Sequence, residues 1–442
     1  MVRTFKKASV YTFVASMLLV SACSNNSQSD NAKSGQENAK YKGQEITALL
    51  EQHPTSNALQ KMLPEFEKET GIKVNLEIIP EGDIPPKALL DFSSKTGRYD
   101  IVMADWIFGQ GFQNGDYIEP LNHYIDNPSL NKNYNGDDFL KSYREMMKKD
   151  GKYYGLPVYG ESTFFMYRKD LFEKYGIQVP KTFDDLMNAA KTIHDKTNGD
   201  IAGITLRGQQ GIEAVYIWAG ILGGFGAKWL DDKGKSAIAS PESIAATKFY
   251  SDLLRKYGPT GVANFGWQEN RLLFQQGKAA MTIDATVNGA FNEDPKESSI
   301  VGKVGYAPVP VQSQSLKGKS SSLDSHGFYL SKESKHKEAA WLFMSWATNK
   351  EQQLKSLKLE PNCGITSITA INSPEFSQKF GTFKDVMLEA INNGNPDYLP
   401  LVPNINEVIN NTGIAISKSL LGASTPELAL KEANDKNNDL LK

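Results

Sequence analysis

From residue 41 onward the chain alternates between short apolar runs and longer stretches whose apolar positions return every three or four residues. Ile46 to Leu50 is apolar enough for a buried strand. A helical pattern opens at Asn57, with Ala58, Leu59, Met62, Leu63 and Phe66 on one face and Gly71 as its stop. Pro64 falls inside that pattern and predicts a kink or a late helix start. Ile72, Val74, Leu76 and Ile78 alternate as a strand does. Pro86 suits a helix first turn, Leu89, Leu90 and Phe92 give it a buried face, and Gly97 ends it. Asp100 to Ala104 reads as a third strand. Strands alternating with helices predict a parallel sheet covered on both faces.

A second unit begins near Gly155. Thr163 to Tyr167 and Ile204 to Leu206 read as strands, and Ala279 to Ile283 as a buried one. Thr182-Phe183-Asp184-Asp185 is a capping box opening a helix. Ser240-Pro241-Glu242 starts another that runs to Tyr257 before Gly258. The region after His336 is mostly helical, and Thr425-Pro426-Glu427 caps the last helix. No internal repeat is visible.

The N-terminus sets the compartment. Arg3, Lys6 and Lys7 precede a nearly all-apolar stretch from Ala8 to Val20, the layout of a secretory signal peptide and short for a membrane span. Val20-Ser21-Ala22-Cys23 resembles a lipobox, so Cys23 is the expected lipidation site, tethering the protein without crossing the bilayer. Residues 24–40 are polar and predict a disordered tether. The formal charge of −2 falls by three, to −5, when the three basic leader residues leave. Neither value suggests a nucleic-acid partner. The two cysteines are Cys23 and Cys363; a lipidated Cys23 leaves Cys363 without a disulfide partner. About 400 residues then remain, enough for two cores.

Ligands of open α/β sheets sit beyond the carboxyl ends of the strands. Three such ends carry chemistry: His53-Pro54-Thr55-Ser56 before a helix N-terminus, Asp105-Trp106, and Asp284 with Thr286 and Asn288 beyond. Carboxylates and carboxamides there suit a polyhydroxylated ligand, and aromatic faces suit its apolar C–H surfaces. Trp106 reads first as a ligand contact, with core as the alternative because Ile107 and Phe108 follow it; Trp218 and Trp267 read equally as core in their settings; Trp341 and Trp346 sit on a core helix face. Tyr159 and Glu161 follow Leu156-Pro157 in an expected loop, where Glu161 is either a ligand contact or a solvated surface residue. The five histidines have no paired spacing for zinc, Gly318-Lys319-Ser320 lacks the glycine of a P-loop, Gly220 to Gly226 lacks dinucleotide spacing, and no catalytic triad is visible. No catalytic residue, metal or cofactor is expected.

Several segments together resemble family 1 of the extracellular solute-binding proteins, the capture components of bacterial ABC importers. They are Phe66 to Val74, Tyr99-Asp100-Ile101-Val102, Tyr154-Gly155-Leu156-Pro157, Tyr167 to Phe172, Pro180 to Leu186, and Phe274 to Met281. The resemblance implies a periplasmic-binding-protein-like α/β fold of two lobes, each a mainly parallel sheet with helices on both faces, joined by a hinge. It implies crossings near Tyr159-Gly160, Asp284-Thr286 and Phe328-Tyr329, with 41–159 and 286–329 in one lobe and 160–285 and 330–442 in the other. It implies ligand contact at Glu161 and supports Asp105, Trp106, Tyr159, Trp218, Trp267 and Asp284; His326 and Asn362 follow from a looser match.

Asp284-Ala285-Thr286, Glu293-Asp294-Pro295 and Val301 to Pro308 resemble the branch that binds sugar alcohols. Two departures point toward another sugar: Leu323 to Phe328 stands where that branch is tryptophan-rich, and Pro361 to Ile365 lacks its basic residue. The implied partners are a small carbohydrate or polyol, importer membrane subunits, and the membrane through a lipid anchor only, for a monomer on the outer face of the cell membrane. Ala at Asp284 or Trp106 is expected to remove binding and leave the empty protein's melt nearly unchanged. The alternatives are a secreted glycoside hydrolase using Glu161 and Asp284, and a binding protein for a non-sugar solute.

Overall fold

The computed structural model describes residues 40–360, 364–395, 397–402 and 404–442. The leader, Cys23, residues 24–39 of the tether, Asn362 and Cys363 lie outside the described residues.

Strands β1 (Glu45–Glu51), β2 (Lys73–Ile79) and β3 (Ile101–Asp105) pair in parallel, with β1 in the middle. Helix α1 (Pro54–Thr70) connects β1 to β2, and α2 (Ile84–Ser94) lies between β2 and β3. α1 starts before Asn57 because Pro54 occupies its first position and His53 caps it. It runs through Pro64 unbroken: the lost helical bond is offset by burial of Leu59, Met62 and Phe66. α2 ends earlier than Gly97, at Lys95 with φ 53°. Asp105 closes β3 and caps α3 (Trp106–Asn114), its side chain accepting from Ile107 N–H at 3.0 Å.

The pattern missed the strand that organises the molecule. β4 (Gly155–Arg168) is 14 residues long and continuous, where a loop and a five-residue strand were expected. Nearly all of it is buried, so it has no polar alternation to read. Its register shifts between Pro157 and Tyr159, a bulge that accommodates a proline with no N–H to give the ladder.

Beyond β4 come α4 (Phe183–Lys196), α5 (Ile212–Gly224), α6 (Pro241–Tyr257) and α7 (Trp267–Gln275), then β5 (Met281–Ala285), β6 (Val304–Ala307) and β7 (Leu323–Leu330). The capping box at Thr182 and the caps at Ser240 and Thr425 form as expected. The expected strand at Ile204–Leu206 is reduced to a single parallel bridge, Thr205 to Thr282. The glycines of α5 serve packing: a Cβ on Gly223 would lie 2.3 Å from the Lys319 carbonyl oxygen.

The sheet runs β2-β1-β3-β7-β4-β5, with β6 also on β4. Apart from isolated bridges, parallel pairing among the described residues joins β1–β3; β7 is antiparallel to both β3 and β4, and β5 and β6 are antiparallel to β4. The first half of β4 pairs with β7 in one lobe, and the second half with β5 and β6 in the other. The fold is two-lobed, and β4 is common to both lobes.

That pairing moves two expected boundaries. β6 lies in the second lobe, so residues between β5 and β7 side with it rather than with the first. The chain re-enters the first lobe where β7 begins, at Leu323, later than the expected Thr286, and it does not leave again at Phe328-Tyr329. After β7, α8 (Lys337–Ala347) packs Phe343 and Trp346 on Phe66 of α1, and Gln353 of α9 (Lys350–Leu359) donates to the Val158 carbonyl at 2.9 Å. This segment therefore belongs with the first lobe. The chain after α9 packs on the second lobe: Phe383 on Phe164 of β4 and Tyr306 of β6, Tyr398 on Tyr216 of α5, and the last helices, α10 (Ile405–Leu420) and α11 (Pro426–Leu440), on α5 and α6.

Candidate functional site

A cavity of about 700 Å³ opens between the lobes. Its first wall is carried by strands. The register pairs Tyr159 with His326, Glu161 with Asp324, and Asp105 with His326. Because side chains alternate along a strand, these five residues share one sheet face. Glu51, the last residue of β1, joins them.

Within this wall the Tyr159 ring lies between two imidazoles, with centroids 3.9 Å from His53 and 4.2 Å from His326, both nearly parallel. Glu51 accepts from the Tyr159 hydroxyl at 3.2 Å and lies 2.9 Å from His326 Nδ1. Burial alone would lower the His326 pKa, but Glu51 and Asp324 outweigh it and hold the imidazole well above its usual range. His53 moves the other way, to about 3, through desolvation and then the His326 charge. A neutral His53 fits its Nδ1 accepting the Thr55 N–H at 3.1 Å. Loss of hydration and then the Asp324 charge push Asp105 well above the usual carboxyl range and Glu161 up to about 8.

The second wall is carried by a loop and two helix starts: Arg207 and Gln209, Glu213 and Tyr216 on α5, and Trp267, Gln268 and Glu269 on α7. The Arg207 guanidinium meets the Asp284 carboxylate through Nε at 3.0 Å and Nη2 at 2.5 Å, reaches Glu213 at 3.2 Å, and lies over the Tyr216 ring. Burial opposes its charge, yet Asp284 and Glu213 keep its pKa well above the usual value. Asn270 holds the other Asp284 oxygen at 2.5 Å. The Trp267 indole donates to Asn288 Oδ1 at 2.8 Å, which fixes the ring. At the hinge the Tyr216 hydroxyl lies 2.9 Å from Ser322 Oγ and donates to Glu161 at 3.4 Å.

Of the residues singled out from sequence, the structure brings Asp105, Tyr159, Glu161, Trp267 and His326 together on the cavity. Tyr159 and Glu161 stand on a strand, not a loop. Thr55 is buried one step behind, against His53. Three others are corrected. Trp218 is fully buried, on the side of α5 turned away from the cavity, its indole donating to Thr247 at 2.8 Å and packed edge-on against Trp229. Trp106 lies in the core on the far side of β3, among Gly109, Met147 and Tyr329. Asp284 is 0 % exposed and spends its oxygens on Arg207, Asn270 and the Ala285 N–H, so it supports the wall from behind. Asn362 lies outside the described residues.

Sequence reasoning missed Glu51, Arg207, Glu213, Tyr216 and Asp324. Glu51 and Arg207 each end a short apolar run, the signal that had flagged Asp105. Asp324 had been noticed only as a departure from a tryptophan-rich segment.

Two lobes sharing a strand, with a polar and aromatic cleft between them, define the class of hinged binding proteins. The chain belongs to the bacterial extracellular solute-binding proteins, whose family model matches residues 52–354. It is 26 % identical over 395 residues to the mannitol-binding protein of Pseudomonas aeruginosa, covering 85 % of this chain and 88 % of that one. Two solved structures of ABC transporter solute-binding proteins are similar. One, from Agrobacterium vitis with bound D-mannitol, shows 30 % identity and a TM-score of 0.82 over 90 % of this chain and 98 % of its own. The other, from Agrobacterium radiobacter in complex with ribitol, shows 28 % identity and a TM-score of 0.83 over 90 % and 99 %.

Proposed function

We propose that the chain captures a sugar alcohol, or a sugar of similar size, in the interlobe cleft and delivers it to an ABC importer without changing it. The observation that carries this reading is the cleft itself: carboxyl groups and an arginine set beside the rings of Tyr216 and Trp267, in a cavity of about 700 Å³. Paired hydroxyls bond to the acids and the guanidinium, and apolar C–H faces lie on the rings. Similarity to proteins named for or solved with mannitol and ribitol supports the polyol class.

Binding follows from differential stability. A solute held by one wall favours the closed state because only closure lets the other wall reach it. A hexitol has about 12 non-hydrogen atoms, so micromolar affinity asks roughly 0.7 kcal/mol of each, within the range for small ligands. Asp284, locked to Arg207 behind the wall, is unavailable as the second carboxyl of a hydrolase pair with Glu161. Among the described residues no helix is long and apolar enough to cross a membrane. The Cys23 lipobox belongs to the same proposal, as a monomer's tether on the outer face of the cell membrane.

A thermal-shift screen of the purified protein against D-mannitol, ribitol, sorbitol and common mono- and disaccharides tests this. A saturable rise in melting temperature with a polyol or sugar is expected. No shift with any of them, or chemical conversion of the added solute, overturns it.

A further inference from the structure

One cluster in the first wall gathers two carboxyl groups and an imidazole and leaves a buried oxygen without a partner. Asp105, Asp324 and His326 each present a ligand atom, and all three atoms lie within 4.8 Å of one another. All three residues are buried. Asp324 Oδ1 has no hydrogen-bond partner, while its other oxygen lies 3.8 Å from His326 Nε2. Asp105 has one oxygen engaged with the Ile107 N–H. On the opposite side of the imidazole, Glu51 takes Nδ1 at 2.9 Å. A carboxylate on the far nitrogen fixes ring orientation and directs Nε2 at its target, as in metal-bound histidines.

From this geometry we infer a binding site for a first-row divalent cation at His326 Nε2, Asp105 and Asp324, with Glu51 orienting the imidazole. A polyol hydroxyl gives one donor to one oxygen and leaves the crowding of the Asp105 and Asp324 carboxyls unrelieved. A divalent cation binds both as carboxylates and displaces to solvent the proton that burial favours on Asp105. One imidazole and two carboxylates suit Mn²⁺ or Zn²⁺ better than Ca²⁺, which prefers oxygen ligands throughout. The cation replaces the proton at Nε2, and Glu51 keeps the one at Nδ1. Three protein ligands leave coordination positions open toward the cavity, where two adjacent hydroxyls of the solute complete the shell. The histidine spacing in sequence gave no hint, because strand register makes the cluster: Asp105 and His326 face each other across β3 and β7. The last step, hydroxyl coordination, rests on the function proposed above; the cation site does not.

The test begins without any solute. Protein stripped by a chelator and exchanged into chelator-free buffer is titrated with Mn²⁺, read by loss of the free-ion electron paramagnetic resonance signal, and with Zn²⁺ by calorimetry. One saturable site per chain is expected, weakened at least about tenfold in Asp324→Asn and in Asp105→Asn, with circular-dichroism melts confirming that both variants fold. No saturable binding by the stripped wild type, a result that needs no variant, overturns the site, as does unchanged affinity in both folded variants. D-mannitol titrations with and without Mn²⁺ then separate the two readings. Mannitol affinity at least about tenfold higher with the cation supports hydroxyl coordination. Mannitol bound equally well with and without Mn²⁺ by a protein that binds no Mn²⁺ ends the cation site and leaves the solute reading standing. Mn²⁺ bound by a protein that takes no polyol or sugar does the reverse.

Discussion

The two walls of the cleft are built by different means. In the first, Tyr159, Glu161, Asp324, His326 and Asp105 stand on three adjacent strands, and backbone register alone sets their neighbours. In the second, Arg207 and Trp267 are held by side chains behind them, Asp284, Asn270, Glu213 and Asn288. The first wall is therefore damaged by changing the residues that form it or the register that aligns them. The second can be disabled from positions that never face the solute.

The strongest test of that contrast is Asp284→Ala. It leaves the guanidinium of Arg207 partly unpaired in a buried setting, so the empty protein should lose about 3 kcal/mol in denaturant unfolding and show no polyol-induced thermal shift. The sequence alone had suggested an unchanged melt for this variant, an expectation that fails because the carboxylate is internal rather than cleft-facing. An Asp284→Ala protein that melts like wild type would deny the supporting role.

Next in size is Trp267→Ala, which removes an aromatic face while leaving the network around Asp284 intact. Calorimetric affinity for the polyol should fall about tenfold, or roughly 1.4 kcal/mol. The unliganded melt should move little; a large drop would make Trp267 a core residue instead. In the first wall, Tyr159→Phe keeps the stack between His53 and His326 but deletes the bond to Glu51, at a cost of about 1 kcal/mol by chemical denaturation. No measurable change would mean that register and stacking alone hold that wall.

The smallest effect concerns pH. Folding raises the Glu161 carboxyl to about 8, so ionising it opposes the folded state. The cost is absent below the unfolded carboxyl value, grows as pH rises, and levels off above about 8. Glu161→Gln escapes it. The melting-temperature advantage of this variant over wild type, without ligand, should therefore be small at pH 5 and larger by roughly 2 °C at pH 8.5. An advantage that shrinks with rising pH would reverse the assignment.

Much of the first lobe was legible because its strands and helices alternate with clear punctuation: Gly71 stops α1, and Asp105 ends β3. β4 was not legible in full, since a strand buried on both faces shows no period of two and its first half contains Pro157. With β4 read as a loop, no argument placed Glu161 opposite Asp324 or Tyr159 opposite His326. Arg207 was hidden differently. It follows Ile204-Thr205-Leu206, a run too short to finish as a strand, and its importance comes from Asp284, 77 residues away. Trp218 misled because α5 does border the cleft, and the sequence does not tell Tyr216, which faces it, from Trp218, which turns inward to Thr247 and Trp229.

The bulge between Pro157 and Tyr159 gives the molecule an unusual intolerance. Lengthening the chain by one residue just after it would turn every following side chain of that strand to the opposite surface. Tyr159 and Glu161 would leave the cleft together, while Phe164 and Met166 would exchange places with Phe165 and Tyr167 in the second lobe. Insertions that a surface connection would absorb should here cost both binding and folding at once.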